Sequence, residues 1–183
     1  MTNLLTLIPH PCGPSIAESI TVEWEWTSAS ALWLRYHAEL LLNDLKLPEP
    51  QMPGRRDGLW RSTCFELFLR EVGDPGYYEF NFSPSREWAA YAFSDTRTGQ
   101  RDLDLPAAPE IVLDFGDTHL GLEATLILPG LLRDARFDAG LSAVLVDTSE
   151  RSAYWALSHP DPRKPDFHHP SCFVARLPSP VRL

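Results

Sequence analysis

The chain has 183 residues, 44% hydrophobic and 22% charged, a composition and length that suit one soluble globular domain with a substantial core. Its formal net charge of −9 argues against a nucleic-acid backbone or an anionic membrane as partner. No stretch approaches the roughly 18 apolar residues of a membrane span, and 17 prolines against 10 glycines favour fixed turns and loops over long helices.

The amino terminus, MTNLLTLIPHPCGPS, predicts a lead-in strand around Leu4 to Ile8. It has neither the basic start nor the apolar run of a signal peptide. The cysteines Cys12, Cys64 and Cys172 are odd in number and widely spaced. A reducing, cytoplasmic setting with buried thiols is therefore expected, a disulfide between two of the three being the other reading. SITVEWEWTS alternates Ile20, Val22, Trp24 and Trp26 with polar residues, a strand whose tryptophans face the core. ALWLRYHAEL predicts the next strand and leaves open which face is buried. Residues 41–58 then form a long irregular loop with three prolines, which delivers Arg55, Arg56, Asp57 and Trp60 to the following strands. Trp60 reads either as a ligand contact or as a plug over one end of the fold.

Residues 64–93 predict a three-strand meander. STCFELFLR and YYEFNF both alternate, and Asp74-Pro75-Gly76 supplies the turn between them. Pairing Leu67 with Phe80 puts Phe65, Phe82, Leu69 and Tyr78 on one face. The other face then carries Glu66 beside Asn81 and Phe68 beside Glu79. A four-residue second turn, Ser83 to Arg86, would pair Asn81 with Trp88 and bring Trp88 to that same face. Beyond the meander, EIVLDF and LGLEATLILP predict two strands, Pro129 to Asp138 a short helical turn, LSAVLVDT and SAYWALSH a hairpin, and SCFVARL a closing strand. Many short strands between Gly/Pro turns indicate two packed antiparallel sheets in a single domain spanning 1–183.

DGLWRSTCFELFL, YYEFNFSPSREWAAYAF and KPDFHHPSCFVARL together resemble the DOMON-like superfamily, and more narrowly its bacterial branch related to family 9 carbohydrate-binding modules. The resemblance covers roughly positions 19 to 177. It implies an all-β fold, a single antiparallel β-sandwich of jelly-roll or immunoglobulin-like form, that binds sugar or haem without catalysis. It also implies that the 41–58 loop and the closing loop, PDPRKPDFHHP, border the ligand site.

The expected function is accordingly non-catalytic binding of a small polar ligand, a saccharide or cell-wall-derived sugar. An aromatic plate flanked by carboxylates and an amide stacks on sugar C–H groups and bonds their hydroxyls. Trp88, Asn81, Glu66 and Glu79 are the expected contacts, rimmed by Arg56, Asp57, Trp60, Asp166 and His168. If the face is instead covered, Trp88 joins a second core and Glu66 needs a partner, with Arg55 or Arg56 nearest in sequence. Glu66 and Glu79 also satisfy the residue types of a glycosidase pair, but carboxylates on such a face more commonly accept hydroxyls. The haem alternative would use Met52 and His168 as axial ligands. A protein-interaction domain without a small ligand is the third reading. No spacing matches structural zinc; the carboxylate excess admits calcium, without an Asp-rich loop to hold it. GxSxG, GxGxxG and P-loop patterns are absent.

Overall fold

Thirteen strands dominate the described residues, 3–130 and 135–179, of the computed structural model. In chain order they are β1 (Asn3–Pro9), β2 (Ala17–Trp26), β3 (Ala31–Leu40), β4 (Gly54–Arg55), β5 (Cys64–Glu71), β6 (Tyr77–Phe82) and β7 (Glu87–Phe93). They continue with β8 (Arg101–Asp102), β9 (Glu110–Gly116), β10 (His119–Ile127), β11 (Phe137–Val146), β12 (Ser152–Ala156) and β13 (Ala175–Leu177). One hydrogen-bonded path runs β4-β7-β6-β5-β11-β12-β1-β2-β3-β10-β9, with β8 on the edge of β7 and β13 on β11. β1 joins the two halves: Asn3 to Leu7 pair with β2, whereas Ile8 and Pro9 pair with β12.

The sheet curls because each half has an apolar face to bury against the other. Ile20, Val22 and Trp24 of β2, Leu32, Leu34, Tyr36 and Ala38 of β3, and Leu120, Leu122, Ala124 and Leu126 of β10 all turn inward. They meet Phe65, Leu67, Leu69, Phe80 and Phe82 from the other half in one continuous cluster. Burying each such side chain contributes about 1.5–3 kcal/mol. Tyr36 shows how closely the halves approach, since its ring lies 5.0 Å from Phe65 and its hydroxyl donates to the Glu66 carbonyl at 2.7 Å. The inward face of ALWLRYHAEL is thus Leu32, Leu34 and Tyr36.

The expectation of a purely antiparallel sandwich is corrected at one ladder. β4 runs parallel to β7, pairing Gly54 with Glu87 and Arg55 with Trp88. After β4 the chain must travel from the sheet edge back to β5, and it does so across the outer face of the meander. A short 3₁₀ turn, Leu59–Arg61, lies on that route, entered through Gly58 at φ +76°, a left-handed conformation that glycine adopts without steric cost. The crossing that makes the ladder parallel is therefore what lays residues 57–61 over the meander.

The predicted β5–β6 register is present pair for pair, including Leu67 with Phe80 and Glu66 with Asn81. The β6–β7 register is not. Phe82 pairs with Trp88, and Asn81 pairs with Ala89. Ser83 N–H donates to Glu87 O at 3.0 Å, closing a three-residue turn whose last residue, Arg86, has φ +73°. One residue fewer in the turn puts every β7 side chain on the opposite face from that expected. SCFVARL is only partly a strand, with a 3₁₀ turn at Pro170–Cys172 before β13. The helical turn expected over 129–138 includes 131–134, which lie outside the described residues, and Phe137 already opens β11. Among the described residues no helix is long and apolar enough to cross a membrane.

Candidate functional site

The outer face of the meander is built by the even positions of β5 and the odd positions of β6 and β7. Cys64, Phe68, Tyr77, Ala89, Tyr91 and Phe93 form a second apolar cluster there, closed by Leu59 from the crossing turn and Phe173 from the closing segment. Gly140 lets the closing segment down onto the sheet, because an added Cβ would stand only 3.2 Å from the Cys172 carbonyl oxygen. The cover is incomplete. Between the crossing turn, the loop before β8 and the loop Lys164 to His168 a cleft of about 1020 Å³ remains. That volume is of the order of a small-ligand pocket, roughly 300–1,000 Å³.

Two carboxylates lie at its floor. Glu66 is 3% exposed and Glu79 5% exposed, yet both line the cleft. They are diagonal neighbours on paired strands, since Glu66 faces Asn81 and Glu79 lies two residues before it. Among the described residues no arginine pairs with Glu66. Ser142 of β11, directly opposite on the other ladder, donates its hydroxyl to Glu66 Oε2 at 2.8 Å. Asn81 Nδ2 donates to Glu79 Oε1 at 2.7 Å, and its Oδ1 receives the Cys64 thiol at 3.7 Å, which fixes the amide's orientation. Burial, reinforced by the charge of Glu79, pushes the Glu66 carboxyl up to about 8. Burial also raises Glu79, against the hydrogen bond from Asn81. The pair thus retains a proton near neutrality and offers the cleft both a donor and acceptors.

Beside the floor sits a neutral histidine. The Tyr77 hydroxyl accepts the Arg97 backbone N–H at 3.1 Å and shares a hydrogen bond with His168 Nδ1 at 2.7 Å. His168 Nε2 lies 3.8 Å from Glu79 Oε2. Burial, with the Arg97 charge nearby, holds His168 down to about 4. Its ring meets Phe68 and Phe93 edge-on at 5.2 and 5.4 Å. The walls are aromatic: Tyr91, Phe93, Tyr154, Phe167 and Trp60 all line the cleft. Tyr91 donates to Asp57 Oδ1 at 2.7 Å, tying the crossing loop to β7, and burial followed by this bond raises its phenol. Trp60 is 51% exposed at the mouth with the Arg61 guanidinium 5.2 Å from its ring centroid.

Of the residues singled out from the sequence, Glu66, Glu79, Asp57, Trp60 and His168 line the cleft. Asn81, 1% exposed, lies behind the floor as the orienting partner of Glu79. Asp166 stands behind the rim and pairs with Arg97 at 2.7 Å. Arg56 lines an adjoining cavity of about 410 Å³ with Ser85 and Glu87, and pairs with Glu87 at 3.1 Å. Trp88 is corrected outright: the register turns it to the main core, where it packs half-buried with Arg55 5.8 Å from its ring centroid. Arg55 serves the scaffold, donating to the carbonyls of Ala90 and Leu103 and pairing with Asp102 at 2.8 Å. Met52 is 86% exposed and is not among the residues lining the cleft with His168. Among the described residues no three His, Cys, Asp or Glu side chains are grouped to hold a metal ion.

Sequence reasoning missed Tyr91 and Phe93, whose alternation was visible but assigned to the other face. It also missed Ser142, which only the β5–β11 pairing identifies, and Arg61, Arg97, Arg101 and Tyr154, which come from separate loops and strands; Lys164 and Phe167 lie on the closing loop expected to border the site.

No family model and no curated protein matches the chain. Solved structures do. A candidate carbohydrate-binding protein from Bacteroides uniformis superposes with a TM-score of 0.61 at 12% identity, over 94% of this chain and 84% of that one. A family 9 carbohydrate-binding module from Caldicellulosiruptor kristjanssonii, solved with glucose, aligns with a TM-score of 0.45 at 14% identity, over 77% of this chain and 67% of that one. The same source's module with cellotriose gives 0.45 and 14%, over 84% and 73%. This chain is similar in fold to the Bacteroides uniformis protein.

Proposed function

We propose that the chain binds a saccharide in the cleft over the meander and performs no chemistry on it. One observation carries the reading: two buried carboxylates, each fixed by a neutral hydrogen-bond donor, open onto a cavity walled by aromatic rings. Rings supply flat apolar surface for sugar C–H groups, while Glu66 and Glu79 exchange hydrogen bonds with hydroxyls. A purely apolar ligand would leave the carboxylates unused, and a small ion without a ring would leave the aromatic walls unused. The fold likeness to a candidate carbohydrate-binding protein supports the same assignment.

The test is a thermal-shift and calorimetric screen of the whole chain against mono- and oligosaccharides. A sugar at 100 times its Kd adds about 2.7 kcal/mol of stability, a shift of a few degrees. Trp60→Ala, at an exposed position, should weaken that sugar about tenfold and leave the unliganded melting temperature nearly unchanged. Absence of a shift with every saccharide refutes the assignment, and turnover of a glycoside that is lost in Glu66→Gln would replace binding with catalysis.

A further inference from the structure

The rim of the cleft differs in charge from the rest of the molecule. In a chain of net charge −9, four of its 16 lysines and arginines, Arg61, Arg97, Arg101 and Lys164, line this one cavity. Four carboxylates line it as well, but each already has a partner or is sunk in the floor. Asp102 is paired with Arg55 and Asp57 accepts the Tyr91 hydroxyl. Glu66 and Glu79 are buried beneath the rings. Among these cations, only Arg97 pairs with a carboxylate of the described residues, Asp166 at 2.7 Å. Arg61, Arg101 and Lys164 are exposed at the mouth and form no ion pair with a carboxylate of the described residues. They come from three separate segments, the crossing turn, β8 and the closing loop, which converge only here.

Resting on the saccharide reading, we infer that the ligand is an acidic sugar, a pyranose-sized ring bearing a carboxylate or phosphate. Its ring and hydroxyls occupy the aromatic, carboxylate-floored interior, and its anion faces Arg61, Arg101 and Lys164. A neutral sugar leaves three unpaired cations about an open mouth. An anion placed toward the floor would instead meet Glu66 and Glu79, so the polarity of the cleft also sets the ligand's orientation. Charges at this depth are partly screened, with a Debye length of about 8 Å at physiological salt. The preference should therefore weaken as salt rises.

Glucose, glucuronate, glucose 6-phosphate and inorganic phosphate, titrated calorimetrically into the whole chain, test the inference. The expected result is binding of at least one acidic sugar about tenfold or more tighter than glucose, with the advantage shrinking between about 0.05 and about 0.5 M salt. Arg101→Gln with Lys164→Gln should bring the acidic-to-neutral ratio close to one. Arg163→Gln, which breaks only the surface pair with Asp161, should leave the ratio unchanged. Whether glucuronate or glucose 6-phosphate binds better tells a carboxylate ligand from a phosphate one. Glucose binding as tightly as both acids overturns the inference and leaves the saccharide reading intact. Inorganic phosphate matching glucose 6-phosphate also overturns it, because the sugar ring would then contribute nothing. Failure of all sugars overturns both.

Discussion

Replacing Glu66 by Gln tests whether the floor of the cleft holds a buried carboxyl that resists ionisation. Gln keeps the shape and an acceptor for the Ser142 hydroxyl, now 2.8 Å from Glu66 Oε2, so the change removes the titratable proton rather than packing. In the folded protein the Glu66 carboxyl is raised from 4.5 to about 8, first by burial and then by Glu79. Between those values the folded state holds a proton that the unfolded chain releases, so stability falls as pH rises. The slope is about 1.4 kcal/mol per pH unit, and the whole window is worth at most about 5 kcal/mol. His168 acts in the opposite sense. Its folded value is lowered from 6.5 to about 4, so its contribution is lost as pH falls through that range.

The Glu66 and His168 slopes oppose each other from about pH 4.5 to 6.5, so His168 offsets the glutamate slope in that range. From about 6.5 to 8 only the glutamate side remains, and stability should drop by about 2 kcal/mol. Urea unfolding of both proteins at half-unit pH intervals provides the measurement. The difference, Glu66→Gln minus wild type, should be smallest near pH 4.5 and grow by at least about 2 kcal/mol by pH 8. A difference that stays constant with pH would refute the buried, proton-retaining carboxyl, whatever the sign of the offset.

Two further outcomes follow from where side chains lie. Trp88→Ala should destabilise the fold by about 2–4 kcal/mol, read by urea unfolding, because it empties space against the main core. At a temperature where the variant stays folded, its affinity for a sugar should match wild type within about threefold, whereas an effect as large as that of Trp60→Ala would place Trp88 in the cleft after all. Thiol titration of the native protein should count one fast-reacting group, Cys12, which is exposed, and three after unfolding. Cys64 and Cys172 are buried, and desolvation pushes the Cys172 thiol up to about 11, so neither presents a thiolate at neutral pH.

Most of the scaffold was legible because period-two alternation is a direct record of which face is buried. Phe65, Leu67 and Leu69 share an apolar face with Phe80 and Phe82 when Leu67 pairs with Phe80, and the structure has that register. The parallel β4 was not legible. It is two residues long, and its pairing depends on the path of a loop whose sequence carries turn residues but no periodicity. The partner of Glu66 was hidden for a different reason. Sequence proximity suggested an arginine, but a buried carboxyl that keeps its proton needs no counter-charge, and a serine from a strand 76 positions away suffices.

The site itself turned on a single residue of turn length. Ser83-Pro84-Ser85-Arg86 can be spanned by four connecting residues or by three, and the alternation of EWAAYAF fits either, since it places an aromatic side chain on both faces. Trp88 lies on one face, Tyr91 and Phe93 on the other. The shorter turn needs a left-handed residue at its end, and Arg86 adopts φ +73°, a conformation for which its sequence carries no glycine or asparagine signal. What holds it is the network around it: the Ser85 hydroxyl donates to Glu87 Oε2 at 2.8 Å, and Arg86 N–H donates to Ser83 O at 2.9 Å. The choice of turn thereby exchanges the face that Trp88 occupies for the one that Tyr91 and Phe93 occupy. A tyrosine at the cleft can anchor the crossing loop through Asp57, which the indole of Trp88, a donor without an acceptor and with its Nε1 unpaired in the core, could match only in part. The local strain at Arg86 is thus coupled to the position of residues 57–61, and through them to the mouth of the cleft.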